Sequence, residues 1–129
     1  MEITFAGGKK VNASFKGHIH KTDQPLHAGG ENSAPSPYEL FLASIGTCAG
    51  VYVQGFCDQR NLPTDQIKLI QSLEMNPATK LPSKISIEIR LPADFPEKYR
   101  AAVVNAAELC AVKRTIASPP VFEITTALV

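Results

Sequence analysis

Three thiols carry the chemical interest of this chain. Cys48, Cys57 and Cys110 form no C-x-x-C pair, and His18, His20 and His27 lie far from them in sequence. A zinc site is therefore not expected, and neither is any other metal or cofactor. A thiolate is a nucleophile, and a second thiol within reach can resolve the sulfenic acid formed when the first is oxidised. A buried lone cysteine is otherwise a small hydrophobe, and that reading suits Cys57. It lies nine residues after Cys48, which on one helix is the opposite face and about 13 Å along the axis. The two cannot pair within an intact helix. Cys48 and Cys110 each sit in or at the end of a helical pattern. Two packed helices could bring them together, but spacing leaves open whether they meet.

The elements that would position these thiols follow from local patterns. Ser36, Pro37 and Glu39 form an S-x-x-E helix start with proline at the first helical position. The helix they open is expected to run over residues 37–60. Its Gly46, Gly50 and Gly55 each cost about 1 kcal/mol relative to alanine. Close approach by other groups is the expected compensation, as in a central helix buried on most sides. Cys48 lies too deep in this helix for its own N-terminal dipole to activate the thiol, so activation is expected from side chains.

Residues 1–24 read as two or three short strands, with His18 and His20 on one solvated face. The Gly- and Pro-rich stretch 25–35 reads as a loop. Runs 67–75 and 83–91 read as strands joined by a hairpin loop, the second alternating Ile85, Ile87, Ile89 against Ser86, Glu88, Arg90. Residues 96–110 read as a helix whose buried stripe is Tyr99, Val103, Ala106 and Cys110. Residues 121–129 read as a closing strand. This order makes an α+β protein.

The 129 residues suit one domain spanning 1–129, with a core large enough to fold without staples. Apolar content of 44%, charged content of 19% and a formal charge of +1 are those of an ordinary globular protein. No basic run or interleaved aromatic stripe points to nucleic acid. No apolar stretch approaches a membrane span of roughly 20 residues, and the first residues do not read as a signal peptide. An odd cysteine count without an export signal predicts a cytoplasmic protein with reduced thiols.

Two blocks bear on family. Residues 23–50 carry Asp23-Gln24-Pro25, Gly29-Gly30, Pro35, Pro37, Glu39-Leu40, Ala43-Ser44 and Cys48, and residues 106–116 carry Cys110, Val112 and Arg114. Together, and in this order, they resemble the OsmC/Ohr family of osmotically inducible and organic hydroperoxide resistance proteins. The resemblance implies an α+β fold with antiparallel sheets around a long central helix, in an intertwined homodimer with sites at the subunit interface. It implies a thiol peroxidase acting on organic hydroperoxides or hydrogen peroxide in oxidative or osmotic stress defence. Cys48 matches the attacking cysteine, Cys110 the resolving one, and a cellular dithiol the reductant. Glu39 matches an acidic residue that holds an arginine over the reactive thiol. That arginine follows an early Gly-Gly pair, whereas the first arginine here is Arg60. Lys9 or Lys10 would have to replace it as a point charge without the planar fork. The alternative is a non-enzymatic member of the fold that binds a small apolar molecule or senses redox state at the dimer interface.

Overall fold

The computed structural model describes residues 1–128. Its contacts group into two compact units, Met1–Ser44 and the chain from Ile45 onward. The first unit opens with a meander of three antiparallel strands, β1 (Glu2–Phe5), β2 (Val11–Phe15) and β3 (His18–His20). Registers Ile3↔Ala13, Phe5↔Val11, Ala13↔His20 and Phe15↔His18 place these seven residues on one face, since directly opposed residues point the same way. His18 and His20 thus share a face, as expected, but with apolar neighbours. That face is uncovered within the chain: Phe5 is 88% exposed.

The loop after β3 is stapled by one carboxylate. Buried Asp23 accepts hydrogen bonds from the backbone N–H groups of Gln24, Glu31 and Ser33 and from the Ser33 hydroxyl. The Ser33 donors are the main reason its carboxyl titrates well below the usual carboxylate range. Gly29 closes the 3-10 turn Leu26–Ala28 in the left-handed region, with φ 80°, where glycine alone carries no steric cost. Gly30 has a different reason. A Cβ built on it would lie 1.9 Å from the Gln24 carbonyl oxygen. The Asp-Gln-Pro and Gly-Gly elements are two sides of one packed loop.

Helix α1 runs Pro37–Asp58. Its start follows the sequence rule: Ser36 Oγ accepts from the Glu39 N–H, and Glu39 Oε2 accepts from the Ser36 N–H. It ends where Asn61 takes φ 53° and the Leu62 N–H returns to the Cys57 carbonyl. By length and composition α1 could cross a membrane, with mean hydropathy 1.5 over its most apolar window. The expectation that no stretch approaches such a span is corrected to that extent. Its Ala49, Val53, Phe56 and Cys57 are buried in the core of the second unit.

That core is completed by Phe95, Val103 and Ala107, with Leu69, Ile87 and Ile89 packed against it. The last three come from the hairpin of β4 (Lys68–Met75) and β5 (Pro82–Arg90), in register Leu69↔Ile89 and Gln71↔Ile87. Gly46 has its predicted compensation, because a Cβ there would meet the Gln71 Oε1 at 2.9 Å. Gly50 has only ordinary contact with Leu69, and Gly55 faces open space, so close packing within one chain explains one of the three.

Beyond residue 96 the expected helix is present, with one addition and one loss after it. The single helix 96–110 is a 3-10 turn, Glu97–Tyr99, followed by α2 (Arg100–Glu108). A further helix, α3 (Ala111–Ala117), starts immediately after Cys110, which adopts φ −48°, ψ 123°. The break interrupts a continuous apolar stripe without glycine or proline to mark it. Of the closing strand expected over 121–129, residue 129 lies outside the described residues; residues 119–128 pair with no strand among the described residues, and Phe122 is 83% exposed. Alternation makes a segment ready to pair, but a strand needs a partner to hydrogen-bond with.

Candidate active site

Cys48 lies on α1 and is partly exposed; Cys57 and Cys110 are fully buried, and all three thiols are free. Burial pushes the Cys57 thiol up, with Asp58 adding to the effect. Cys57 is thus the inert apolar filler that its spacing suggests.

The surroundings of Cys48 are built by the corner between α2 and α3. The Val112 N–H hydrogen-bonds to the Cys48 sulfur and is the largest cause of a thiol pKa below the ordinary value. The Cys110 thiol is the next cause, through a hydrogen bond to the same sulfur; the Ala111 N–H and the charge of Lys113 add to it. Burial opposes these effects and does not overcome them. Four consecutive residues, 110–113, therefore favour the Cys48 thiolate. Cys110 also leans on the Ile45 carbonyl, at 4.0 Å, so the corner packs against the turn of α1 that precedes Cys48.

This corrects the expectation that activation must come from side chains. Cys48 is indeed too deep in α1 to feel that helix's own N-terminus. The donors are main-chain groups of another helix, free because the first N–H groups of a helix have no intrahelical acceptor. Main-chain donors leave no trace in side-chain pattern, which is why sequence reasoning missed them. Lys113 was legible in principle, as the basic residue after Cys110-Ala111-Val112.

The remaining candidates are engaged within the first unit. Glu39 is held by the Ser36 N–H and hydroxyl, which lower its pKa, and so serves the capping box. Lys9 is exposed in the β1–β2 turn, with its side chain beside Gly29. Lys10 forms an ion pair with Glu31. Among the described residues, no group of three His, Cys, Asp or Glu could hold a metal ion.

A cavity of about 390 Å³ opens beside the thiol corner. Ile45, Ile85, Ile87 and Ile116 wall it, and Glu108 and Lys113 also line it. It is large enough for a small organic molecule, and its polar groups are a carboxylate and an ammonium 3.1 Å apart.

Comparison with known proteins places the chain in a family. The chain is similar to a Psychrobacter arcticus protein named for osmotic stress induction and detoxification response, with TM-score 0.75 and 19% identity over 88% of this chain and 85% of that one. It is similar to a hypothetical protein of Aquifex aeolicus, with TM-score 0.67 and 21% identity over 92% and 86%. It is similar to an organic hydroperoxide resistance protein OsmC of Legionella pneumophila, with TM-score 0.51 and 17% identity over 89% and 85%. At these identities the likeness is one of fold. No curated protein matches. The family model described as OsmC-like protein matches residues 30–125, a span that includes Cys48, the α2–α3 corner and both sheet strands of the second unit. With three-quarters of the chain matched and an α+β fold in agreement, the chain belongs to the OsmC-like protein family.

Proposed function

We propose that the protein is a thiol-dependent peroxidase acting on organic hydroperoxides or hydrogen peroxide. One observation carries this reading: a partly exposed Cys48 whose thiol pKa lies below the ordinary value, chiefly through the Val112 N–H and next through the Cys110 thiol. The Cys48 thiolate attacks one peroxide oxygen, the O–O bond breaks, and the other oxygen leaves as alcohol or water after taking a proton. Cys48 is left as a sulfenic acid. The Cys110 thiol then attacks that sulfur, forming the S–S bond and releasing water. A cellular dithiol then supplies two electrons to restore both thiols. The name of the Legionella relative supports this substrate class, and three free cysteines fit a reducing cytoplasm.

The wild-type chain should consume a dithiol such as dithiothreitol only when peroxide is supplied. Cys110→Ser should still react once with peroxide and then hold a sulfenic acid that dimedone labels at Cys48. Absence of turnover with alkyl and hydrogen peroxides, using small or protein dithiols, would remove the reading. The cavity walled by Ile45, Ile85, Ile87 and Ile116 favours the second reading, a non-catalytic binder of a small apolar molecule, should that result be obtained.

A homodimer belongs to the same proposal. The uncovered face of Ile3, Phe5 and Phe15 and the unpaired apolar residues Val121, Phe122 and Ile124 are surface that a second copy would remove from water. Sedimentation equilibrium at micromolar concentration should give twice the 13.9 kDa chain mass; a single-chain mass would exclude the dimer.

A further inference from the structure

We infer that a second cavity, between α1 and α2, binds a small organic carboxylate: Arg60 grips the carboxylate, and the two helix surfaces hold its apolar body.

The cavity measures about 300 Å³, at the small end of the range for ligand sites. Val51 and Gly55 of α1 line it together with Ala106 and Leu109, at the end of α2. Val51 is 66% exposed and Leu109 57%. A short alkyl or aryl group laid between them would leave water together with both side chains. Gly55 makes the room. A Cβ there would meet no atom within 4 Å, although glycine is unfavourable inside a helix. Packing within the chain gives no reason for it, whereas an occupant of this cavity does.

The charge at the site is a separate observation. The Arg60 guanidinium lies 3.7 Å from the centre of the Phe56 ring and 5.4 Å from that of Tyr99. These rings meet edge to face at 5.8 Å. Arg60 also donates one hydrogen bond to the Phe56 carbonyl, at 2.9 Å. The planar group is therefore held in place before any ligand arrives, so that less freedom is lost on binding. Its other donors are unspent. Lys10, Lys84, Arg90 and Lys113 each have a carboxylate partner, but among the described residues no carboxylate pairs with Arg60. Lys98 lies over the Tyr99 ring as well, at 4.8 Å, and adds a second positive charge nearby. A fixed guanidinium fork with free donors matches a carboxylate. Tyr52 and Gln59 also line the cavity and offer hydroxyl and amide groups to the same head. None of the three thiols is among the described residues that line it, so the site does not depend on the chemistry of Cys48.

Hexanoate titrated into the isotope-labelled full chain, followed by amide proton–nitrogen spectra, tests the site. The amides of Val51, Gly55, Arg60, Ala106 and Leu109 should shift together along one saturating curve. 1-Hexanol has the tail without the charge, and inorganic phosphate has the charge without the tail. Each should bind at least ~10-fold more weakly than hexanoate, and Arg60→Met should weaken hexanoate by at least ~10-fold. Gly55→Leu leaves Arg60 intact, fills the open space and should abolish the shifts. If Arg60→Met does not fold, Gly55→Leu and the 1-hexanol comparison decide the matter. The absence of saturating shifts up to about 20 mM hexanoate would overturn the proposal. So would shifts confined to the surroundings of Ile45, Ile85 and Ile116, equal binding of 1-hexanol or phosphate, or an unchanged titration in Arg60→Met or Gly55→Leu.

Discussion

Replacing Cys48 with serine is expected to reduce peroxide-dependent dithiol consumption at least ~1,000-fold, equivalent to roughly 4 kcal/mol of lost transition-state stabilisation. The two side chains differ by one atom, and the hydroxyl can accept from the same Val112 and Ala111 N–H groups that serve the sulfur. Folding should therefore be little affected. What disappears is a soft nucleophile whose thiol pKa is held below the ordinary value. Neither other thiol can replace it. Cys57 is fully buried in apolar surroundings with its pKa raised, and Cys110 has no exposed surface. Coupled dithiol oxidation measured on Cys48→Ser and Cys57→Ser decides the point. The first should fall to background and the second should stay within about twofold of wild type. Substantial turnover in Cys48→Ser would place the chemistry elsewhere.

The second large effect concerns stability. Gly30→Ala is expected to cost about 3 kcal/mol, the upper end of overpacking penalties, and to lower Tm by roughly 10 °C for a chain of this size. The added Cβ meets the Gln24 carbonyl oxygen at 1.9 Å, with the Gln24 carbonyl carbon and Cα also inside 3 Å. These are backbone atoms and cannot rotate aside. Nor can the segment slide, because Asp23 ties Gln24 on one side to Glu31 and Ser33 on the other. Thermal unfolding followed by circular dichroism checks the shift. A Tm within two degrees of wild type would mean that the loop yields more easily than its hydrogen bonds imply.

Much of the fold is legible from local rules. Ser36, Pro37 and Glu39 announce the start of α1, because a capping box is satisfied by residues three apart and needs nothing distant. The Ile85, Ile87, Ile89 alternation marks β5 because it records burial on one face. The site is less legible, and its misses share a cause. The helix read over 96–110 stops at Cys110, and no local signal announces that α3 starts directly after it. Glu39 completes the capping box that its spacing from Ser36 announces. The effect of Lys113 on Cys48 comes from tertiary placement that spacing does not encode. Residues 121–128 alternate like a strand but have no strand to pair with among the described residues.

The cradle around Cys48 also determines how the protein can vary over generations. Its first and third stabilising contacts are amide hydrogens of Val112 and Ala111, and nineteen of the twenty encoded amino acids carry that hydrogen. A comprehensive mutational scan should therefore be permissive at 111 and 112 towards small and medium residues, with proline the lone class that removes a donor. The genetic code offers proline by one base change from an alanine codon but not from a valine codon. Position 111 is thus the exposed point of the cradle to spontaneous loss, although its side chain does no chemistry.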